Sequence, residues 1–155
     1  EAKTLTAVLT FNALSTKPPA TEDLYDDQVL YGIHMDFNHD QQADIDIWAR
    51  FGKNSKGQWG IQVLGLPGET MITGPVETTL NGQHQGKIWA GLREDPNFFD
   101  LEGFKETIQS GKWSFQKDRD FFASKTSHAI VLQMGFPEAV SFTTQFQIWA
   151  TSARK

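Results

Sequence analysis

The sequence predicts an all-β protein, folded as an antiparallel β-sandwich or jelly roll with one short helix. Apolar and polar residues alternate over several short segments, and turn-forming residues separate these segments. Only one segment has the spacing of a helix. Many short strands joined by turns are typical of two antiparallel sheets packed face to face.

The composition limits the class of protein. A chain of 155 residues is long enough for one domain with a core and too short for two of ordinary size, so we predict a single domain over residues 1–155. The formal net charge is −5, with scattered Lys and Arg residues, which argues against nucleic-acid binding. The chain contains no Cys, so disulfides and thiolate metal sites are excluded. No apolar run approaches the roughly 18 residues that a membrane span needs.

The first three predicted strands each place alternate residues on one buried face. Residues 4–11 interleave apolar residues with threonine, and residues 29–35 and 44–51 flank an acidic loop. The residues predicted to face the core are Leu5, Ala7, Leu9, Phe11, Val29, Tyr31, Ile33, Met35, Ile45, Ile47, Ala49 and Phe51. Because the second and third strands are joined only by that loop, we expect them to form a hairpin.

The rest of the chain is predicted to form shorter strands and the helix. Residues 100–110 place Leu101, Phe104 and Ile108 at helical spacing, and Gly111 follows as a stop signal. The further strands are predicted at residues 58–64, 70–73, 76–80, 83–92, 129–136 and 142–151.

Oxygen-bearing side chains recur at every second position in much of the loop between the second and third strands. This spacing is typical of a calcium loop, since Ca²⁺ takes roughly six to eight oxygen ligands. The candidate metal ligands are the side chains of Asp36, Asn38, Asp40, Asp44 and Asp46, and the backbone carbonyl of Gln42. The alternative is an acidic hairpin turn, because Asp and Asn favour turns for local reasons.

Two positions depart from the ideal calcium loop. Gln41 stands at the sixth position, where glycine normally makes the sharp turn, and Ile47 stands at the twelfth, where a bidentate Glu is usual. We therefore expect a weak calcium site with a structural rather than a catalytic role, filled where calcium is millimolar.

Four segments carry a resemblance to a known family. They read Tyr31-Gly-Ile-His-Met-Asp36, Ile45-Asp-Ile-Trp-Ala-Arg-Phe51, Ile88-Trp-Ala-Gly-Leu-Arg-Glu-Asp-Pro-Asn-Phe-Phe-Asp100 and Phe146-Gln-Ile-Trp-Ala-Thr-Ser152. From about Leu5 onward the chain resembles the bacterial domain-of-unknown-function family four-three-three-one. Residues 91–100 are the most specific part, although Asn97 separates Pro96 from the Phe pair, where that family has proline followed directly by aromatics. The resemblance implies an exported bacterial protein and implies no activity.

Trp48, Trp89 and Trp149 each lie on the more polar face of a predicted strand. If those strands are adjacent, three indoles form an aromatic surface that suits a sugar ring or another small flat ligand. The alternative is that the indoles pack under a covering loop or helix.

The turn that begins at Arg93 combines a guanidinium with nearby carboxylates. Arg93, Asp95 and Asp100 could belong to a ligand surface or an active centre, because neighbouring charges separate carboxyl pKa values. The interpretation that we favour is structural: Arg93 bridges the carboxylates, and Phe98 and Phe99 pack into the core.

The sequence contains no recognisable catalytic motif. Ser and His occur without a nucleophile elbow, and no two His residues have the spacing of a helical zinc site. A haem would need axial ligands among His34, His128, Met35, Met71 and Met134, although Met in a strand more often fills a core.

Together these observations predict a calcium-stabilised, periplasmic or secreted module that binds a ligand or serves a structural role, rather than an enzyme. The chain begins at Glu1 rather than Met, as it would after cleavage of an export signal. One alternative is a redox protein or enzyme that carries haem or another metal cofactor. Another alternative is a homo-oligomer assembled through exposed strand edges or the Trp face.

Overall fold

The described residues form nine strands and one helix. The structure is a computed structural model that describes residues 4–15, 25–135 and 145–155. The elements in chain order are β1 (Thr4–Ser15), β2 (Val29–Asp36), β3 (Ile45–Lys53), β4 (Trp59–Leu64), β5 (Met71–Pro75), β6 (Leu80–Asn81), β7 (Lys87–Glu94), α1 (Leu101–Ser110), β8 (Thr126–Gly135) and β9 (Gln147–Arg154).

The strands form two antiparallel sheets that enclose one core. The four-stranded sheet has the order β1-β8-β7-β6, and the five-stranded sheet has the order β5-β4-β3-β2-β9. Ile130 and Leu132 from the first sheet and Ile47 and Val63 from the second are almost completely buried in the same cluster. This architecture confirms the predicted all-β sandwich.

Alternation along β3 follows the prediction. Ile47, Ala49 and Phe51 are buried in the core, whereas Asp46 and Arg50 are exposed on the outer face. Successive side chains of a strand point to opposite faces, so this pattern fixes which residues of the five-stranded sheet reach solvent. The second and third strands also form the predicted hairpin around the acidic loop.

The second half of β2 is buried on both faces. Ile33 and Met35 face the core as predicted, and His34 on the opposite face is only 6% exposed. β2 lies between β3 and β9, and the indoles of Trp48 and Trp149 from these neighbours lie against the His34 ring. Aromatic side chains therefore cover the outer face of β2 at this point.

The strand predicted at residues 76–80 is wrong for most of its length, because β6 contains only Leu80–Asn81. Glu77 has a left-handed backbone, with φ 57°. Its N–H donates to the Ala90 carbonyl at 2.7 Å, and its carboxylate accepts the Leu92 N–H at 2.6 Å. Glu77 thus bonds to backbone groups of β7 where a paired edge strand was predicted.

The strand predicted to begin at residue 83 begins later, at Lys87. The preceding residues form a turn around the carboxylate of Glu69, whose side chain is 3% exposed. That carboxylate accepts the N–H groups of Gln83, His84 and Gly86 at 2.8 to 3.1 Å. The turn is therefore organised by one buried side chain, which local periodicity does not reveal.

The last two strands are shifted from their predicted positions. β8 begins at Thr126, three residues before the prediction, and β9 extends three residues further, to Arg154. Residues 136 and 142–144, which were predicted to belong to these strands, lie outside the described residues.

α1 ends where it is predicted to end and begins within one residue of the prediction. Asp100 caps its N-terminus by accepting the Gly103 N–H at 2.8 Å, and Gly111 closes its C-terminus at φ 67°. Its apolar side chains remain partly outside the core, since Phe104 is 43% and Ile108 is 70% exposed. No helix among the described residues is long and apolar enough to cross a membrane.

Gly65 follows β4 at a point that leaves no room for a side chain. Its φ is 79°, and a Cβ there would collide with the backbone carbonyl of Asp46. Since a left-handed L-residue costs about 1–2 kcal/mol before any clash, we expect Gly65→Ala to lower the free energy of unfolding by at least that much. Urea unfolding followed by tryptophan fluorescence measures this. Gly52→Ala is the control, because a Cβ there meets no atom within 4 Å; unchanged stability of Gly65→Ala would contradict the prediction.

Candidate functional site

The β2–β3 loop is built around the buried carboxylate of Asp36. This carboxylate accepts the backbone N–H groups of Asn38 at 3.0 Å, His39 at 2.6 Å and Gln41 at 2.9 Å. Burial alone would raise the pKa of Asp36, but these donors and the neighbouring His39 outweigh burial and hold the pKa below its ordinary value of 3.8. Asp36 is therefore a charged anchor of the loop.

The other oxygen-bearing side chains of the loop also bond to the loop itself. Asn38 accepts the Asp40 N–H at 2.8 Å, and Asp40 accepts the Gln42 N–H at 2.8 Å. The Asp44 carboxylate accepts the Phe37 N–H at 2.7 Å and the Asn38 side-chain amide at 3.2 Å. These bonds are local turn interactions of the kind that Asp and Asn favour.

The loop backbone is left-handed at two residues that are not glycine. His39 has φ 63° and Gln41 has φ 67°. Gln41 stands at the sixth loop position, where a calcium loop normally needs glycine for the sharp turn. The turn therefore forms here without glycine, and the Asp36 hydrogen bonds hold it in place.

Among the described residues, no group of three or more His, Asp or Glu side chains lies close enough together to hold a metal ion. Asp46, predicted as a ligand, has its carboxylate bonded to His34 Nδ1 at 2.5 Å. Its register position opposite His34 in the hairpin places it on the outer face of the five-stranded sheet.

His34 is the centre of a polar cluster on that outer face. Its Nδ1 bonds to Asp46 Oδ1, and its Nε2 lies 2.8 Å from Thr151 Oγ1 on β9. In the neutral tautomer with Nδ1–H facing the carboxylate, Nε2 accepts the Thr151 hydroxyl proton. Trp149 stacks on the imidazole with ring centroids 5.4 Å apart, and Trp48 meets it edge-on at 5.1 Å.

Gly32 allows this cluster to form. A Cβ at Gly32 would lie 2.5 Å from Thr151 Oγ1, 2.6 Å from His34 Nε2 and 2.8 Å from the Trp48 ring. Only glycine therefore leaves room for the three side chains to meet.

A carboxylate, an imidazole and a hydroxyl in a hydrogen-bonded row are also the components of an activated nucleophile. In this protein the imidazole is nearly covered, and both of its nitrogens are engaged. These facts favour a positioning role, in which His34 fixes the orientation of the two indoles. Sequence reasoning missed both partners of His34: the hairpin register that sets His34 opposite Asp46 was the available signal for Asp46, and local sequence gave no signal for Thr151 on β9.

The three predicted indoles do not form one surface. Trp48 and Trp149 lie in the five-stranded sheet, whereas Trp89 lies in the four-stranded sheet. Trp89 stacks instead against the Arg93 guanidinium, which lies 3.5 Å from its ring centroid. The prediction failed because the two sheets divide strands that look alike in the sequence.

The predicted bridge from Arg93 to Asp95 and Asp100 is also wrong. Arg93 pairs with Glu77 at 3.3 Å, and Asp95 accepts two hydrogen bonds from Asn97. Asp100 pairs with a different cation, Arg119.

Arg119 is the partner of Asp100, and sequence reasoning missed it. Its Nε and Nη2 donate to Asp100 at 3.1 and 3.0 Å, and the same carboxylate accepts the Gln116 N–H at 2.8 Å. Burial would raise the pKa of Asp100, but the Gly103 and Gln116 N–H groups and the Arg119 guanidinium hold it below its ordinary value. The only sequence signal for Arg119 is its place in the alternating charges of residues 117–120.

The aromatic pair beside this turn does not enter the core as predicted. Phe98 is 58% exposed. Phe99 packs against Phe104 and Phe115, at 5.7 and 6.3 Å between ring centroids. Residues 95–125 thus form a lobe held largely by its own side chains.

The candidate haem ligands occupy other roles in the structure. Met35 and Met134 are core side chains with 0% and 1% exposure. His128 faces the aromatic end of the core, where it stacks on Phe11 and meets Tyr25 edge-on. Met35 and Met134 thus agree with the expectation that Met in a strand fills a core, whereas Met71, at the start of β5, is 48% exposed and accepts a hydrogen bond from Gln62.

Comparisons with known proteins add no relative. The chain matches no protein-family model, and no curated protein and no solved structure is significantly similar to it. The resemblance to family four-three-three-one therefore stays a prediction from the residues quoted above.

The buried carboxylates predict how stability depends on pH. Asp36, Glu69 and Asp100 all have pKa values lowered by backbone N–H donors that outweigh burial. A carboxyl group whose pKa is lower in the folded than in the unfolded state stabilises the fold. Its contribution is complete at pH values above the unfolded pKa, near 4, and is lost as the pH falls through the folded pKa. We expect the melting temperature to fall steeply below about pH 4.

Asp100→Asn tests this assignment. The variant should melt at a lower temperature than the wild type at pH 7 and should lose less stability on acidification, because it cannot take up that proton. Circular dichroism melts between neutral and acid pH measure both effects, with the exposed Asp118→Asn as the control. Parallel melting curves for Asp100→Asn and the wild type would contradict the role of Asp100.

Proposed function

We propose that the protein is an exported, calcium-stabilised ligand-binding module without enzymatic activity. Its ligand lies on the outer face of the five-stranded sheet. The observation that carries this proposal is the Trp149 indole, which is 36% exposed and held on the buried His34 ring.

The indole is suited to a flat ligand because it is already ordered. One face of Trp149 stacks on His34 at an interplanar angle of 22°, and Asp46 and Thr151 fix the imidazole from both sides. An indole gives a large apolar area and one N–H donor. A side chain fixed before binding loses little conformational entropy on binding, which supports recognition of a sugar ring or another flat molecule.

The β2–β3 loop supports the calcium part of the proposal. An ionised carboxylate has about four acceptor positions, and Asp36 uses three of them for backbone N–H groups. The left-handed backbone at Gln41 matches the turn that calcium loops make at this position. Binding requires the Asp40 and Asp44 side chains to rotate toward Asp36, so the site is weak and suits a compartment with millimolar calcium.

The alternative of a haem- or metal-bearing redox protein or enzyme stays a prediction. Native mass spectrometry of the purified protein separates the two classes, because it weighs any bound species directly. An added mass equal to calcium favours the proposed module, and an added porphyrin or transition metal favours the alternative.

Asp40→Ala tests the calcium site. The variant should melt at a lower temperature than the wild type when calcium is present, because one ligand is lost, and should melt at nearly the same temperature in chelator. Differential scanning fluorimetry in both buffers measures this, with the exposed Asp118→Ala as the control. Equal destabilisation with calcium and with chelator would refute ligation by Asp40.

Trp149→Ala tests the ligand surface. We expect the wild type to bind at least one oligosaccharide on a glycan array, and the variant to bind it at least about tenfold more weakly, since losing about 1.4 kcal/mol of ring stacking changes Kd by that factor. Ile148→Ala is the matched control, because Ile148 is exposed on the opposite face of the same strand. Undiminished binding by Trp149→Ala would remove the indole from the ligand site.

A further inference from the structure

The outer face of the five-stranded sheet also carries a groove. The groove has a volume of about 600 Å³ and crosses β3, β4 and β5. This volume lies within the range of small-molecule sites, roughly 300–1,000 Å³. The residues that the argument uses from its lining are Asp27, Arg50, Gly52, Lys53, Gln62 and Thr73.

The groove gathers positive charge in a protein whose net charge is −5. Arg50 and Lys53 line it, against the single acid Asp27. Arg50 Nε donates to Gln62 at 2.8 Å, which fixes the guanidinium plane. Lys53 alternates with Gly52 on β3 and pairs with Trp59, with its Nζ 4.8 Å from the Trp59 ring centroid, so its ammonium adds positive charge at the end of β3.

The guanidinium is positioned to bind an anion. Within the part of the chain that the structure describes, the hydrogen bond of the Arg50 side chain is made by Nε, which leaves the two terminal nitrogens of the fork for a ligand. A guanidinium fork matches the two oxygens of a carboxylate. Beside it, Gln62 accepts from Arg50 and donates to Met71 Sδ at 3.0 Å. The Thr73 hydroxyl donates to the Ile61 carbonyl at 3.1 Å. One amide proton of Gln62 and the remaining oxygen lone pairs are left for sugar hydroxyls.

The groove and the indoles belong to one face. Arg50 follows Trp48 by two residues on the outer side of β3, which separates their Cα atoms by roughly 7 Å. At the indole end of this face stands the half-exposed carboxylate of Asp46, which repels anions. The face is therefore apolar and acidic at one end and basic at the other.

We propose that this face binds an acidic oligosaccharide. A uronic acid unit places its carboxylate on Arg50 in the groove, where Lys53 at the end of β3 adds positive charge, and a sugar unit further along the oligomer stacks on the Trp149 indole, roughly 16 Å away. This inference rests on the proposed function and adds the charge and the orientation of the ligand. Asp46 sets the orientation, because a carboxylate at the indole end would meet a like charge.

Isothermal titration with short uronic acid oligomers tests the proposal. The probes are oligogalacturonate, oligomannuronate and oligoglucuronate, each compared with the same oligomer whose carboxyl groups are methyl-esterified, at one fixed calcium concentration. We expect at least one uronate oligomer to bind, and its ester to bind at least about tenfold more weakly, because the charge-assisted hydrogen bonds are lost.

Three variants locate the binding site. Arg50→Gln and Lys53→Gln should each weaken uronate binding, by at least about tenfold for Arg50→Gln. Gly52→Leu should fill the groove, because Gly52 lines it and a Cβ there meets no atom within 4 Å. Lys87→Gln, in the four-stranded sheet, makes the same charge change as Lys53→Gln and should leave binding unchanged.

The outcomes separate this inference from the proposed function. If uronate and ester bind equally well, or if Arg50→Gln and Gly52→Leu bind like the wild type, the acidic-glycan inference is overturned. If neutral oligosaccharides still bind through Trp149 in that case, the proposed function stands and only the acidic-glycan inference fails. If neither uronates nor any neutral oligosaccharide bind, both are overturned.

Discussion

The loops of this protein depend on buried carboxylates that accept backbone N–H groups. Asp36, Glu69 and Asp100 each accept two or three of them, and the half-exposed Glu77 accepts one at the edge of β7. A buried N–H without a partner costs as much as a lost hydrogen bond, so each carboxylate makes its turn stable in a place where no strand can pair. The sandwich is therefore held together between its strands by charge as well as by its apolar core.

One of these loops is connected to the candidate ligand surface. The Asp44 carboxylate helps to close the β2–β3 loop, and Asp46, two residues later, holds His34 beneath Trp149. In the proposed function, calcium in the loop would stiffen the start of β3 and with it the residues that orient the indole. Calcium would then affect ligand binding by fixing the position of the indole, without contacting the ligand.

The two ends of the outer face of the five-stranded sheet differ in charge. The protein is acidic as a whole, yet the groove over β3 to β5 presents Arg50 and Lys53. Glycines make this face possible in two ways: Gly32 leaves room for the His34 cluster, and Gly52 leaves the groove open. The same strand, β3, carries both the Trp48 and the Arg50 side chains to that face. Ligand recognition in this proposal is thus a property of one sheet face and not of a loop.

The sequence by itself determined the strands with clear alternation, the β2–β3 hairpin, the single helix with its stop, and the acidic loop, because these features depend on neighbours a few residues apart. Only the tertiary structure decided which side chains meet. Trp89 lies in the other sheet from Trp48, Asp100 pairs with Arg119, and Thr151 reaches His34 across 117 residues. Strand order sets these contacts, and strand order depends on packing of the whole chain, which local periodicity does not encode.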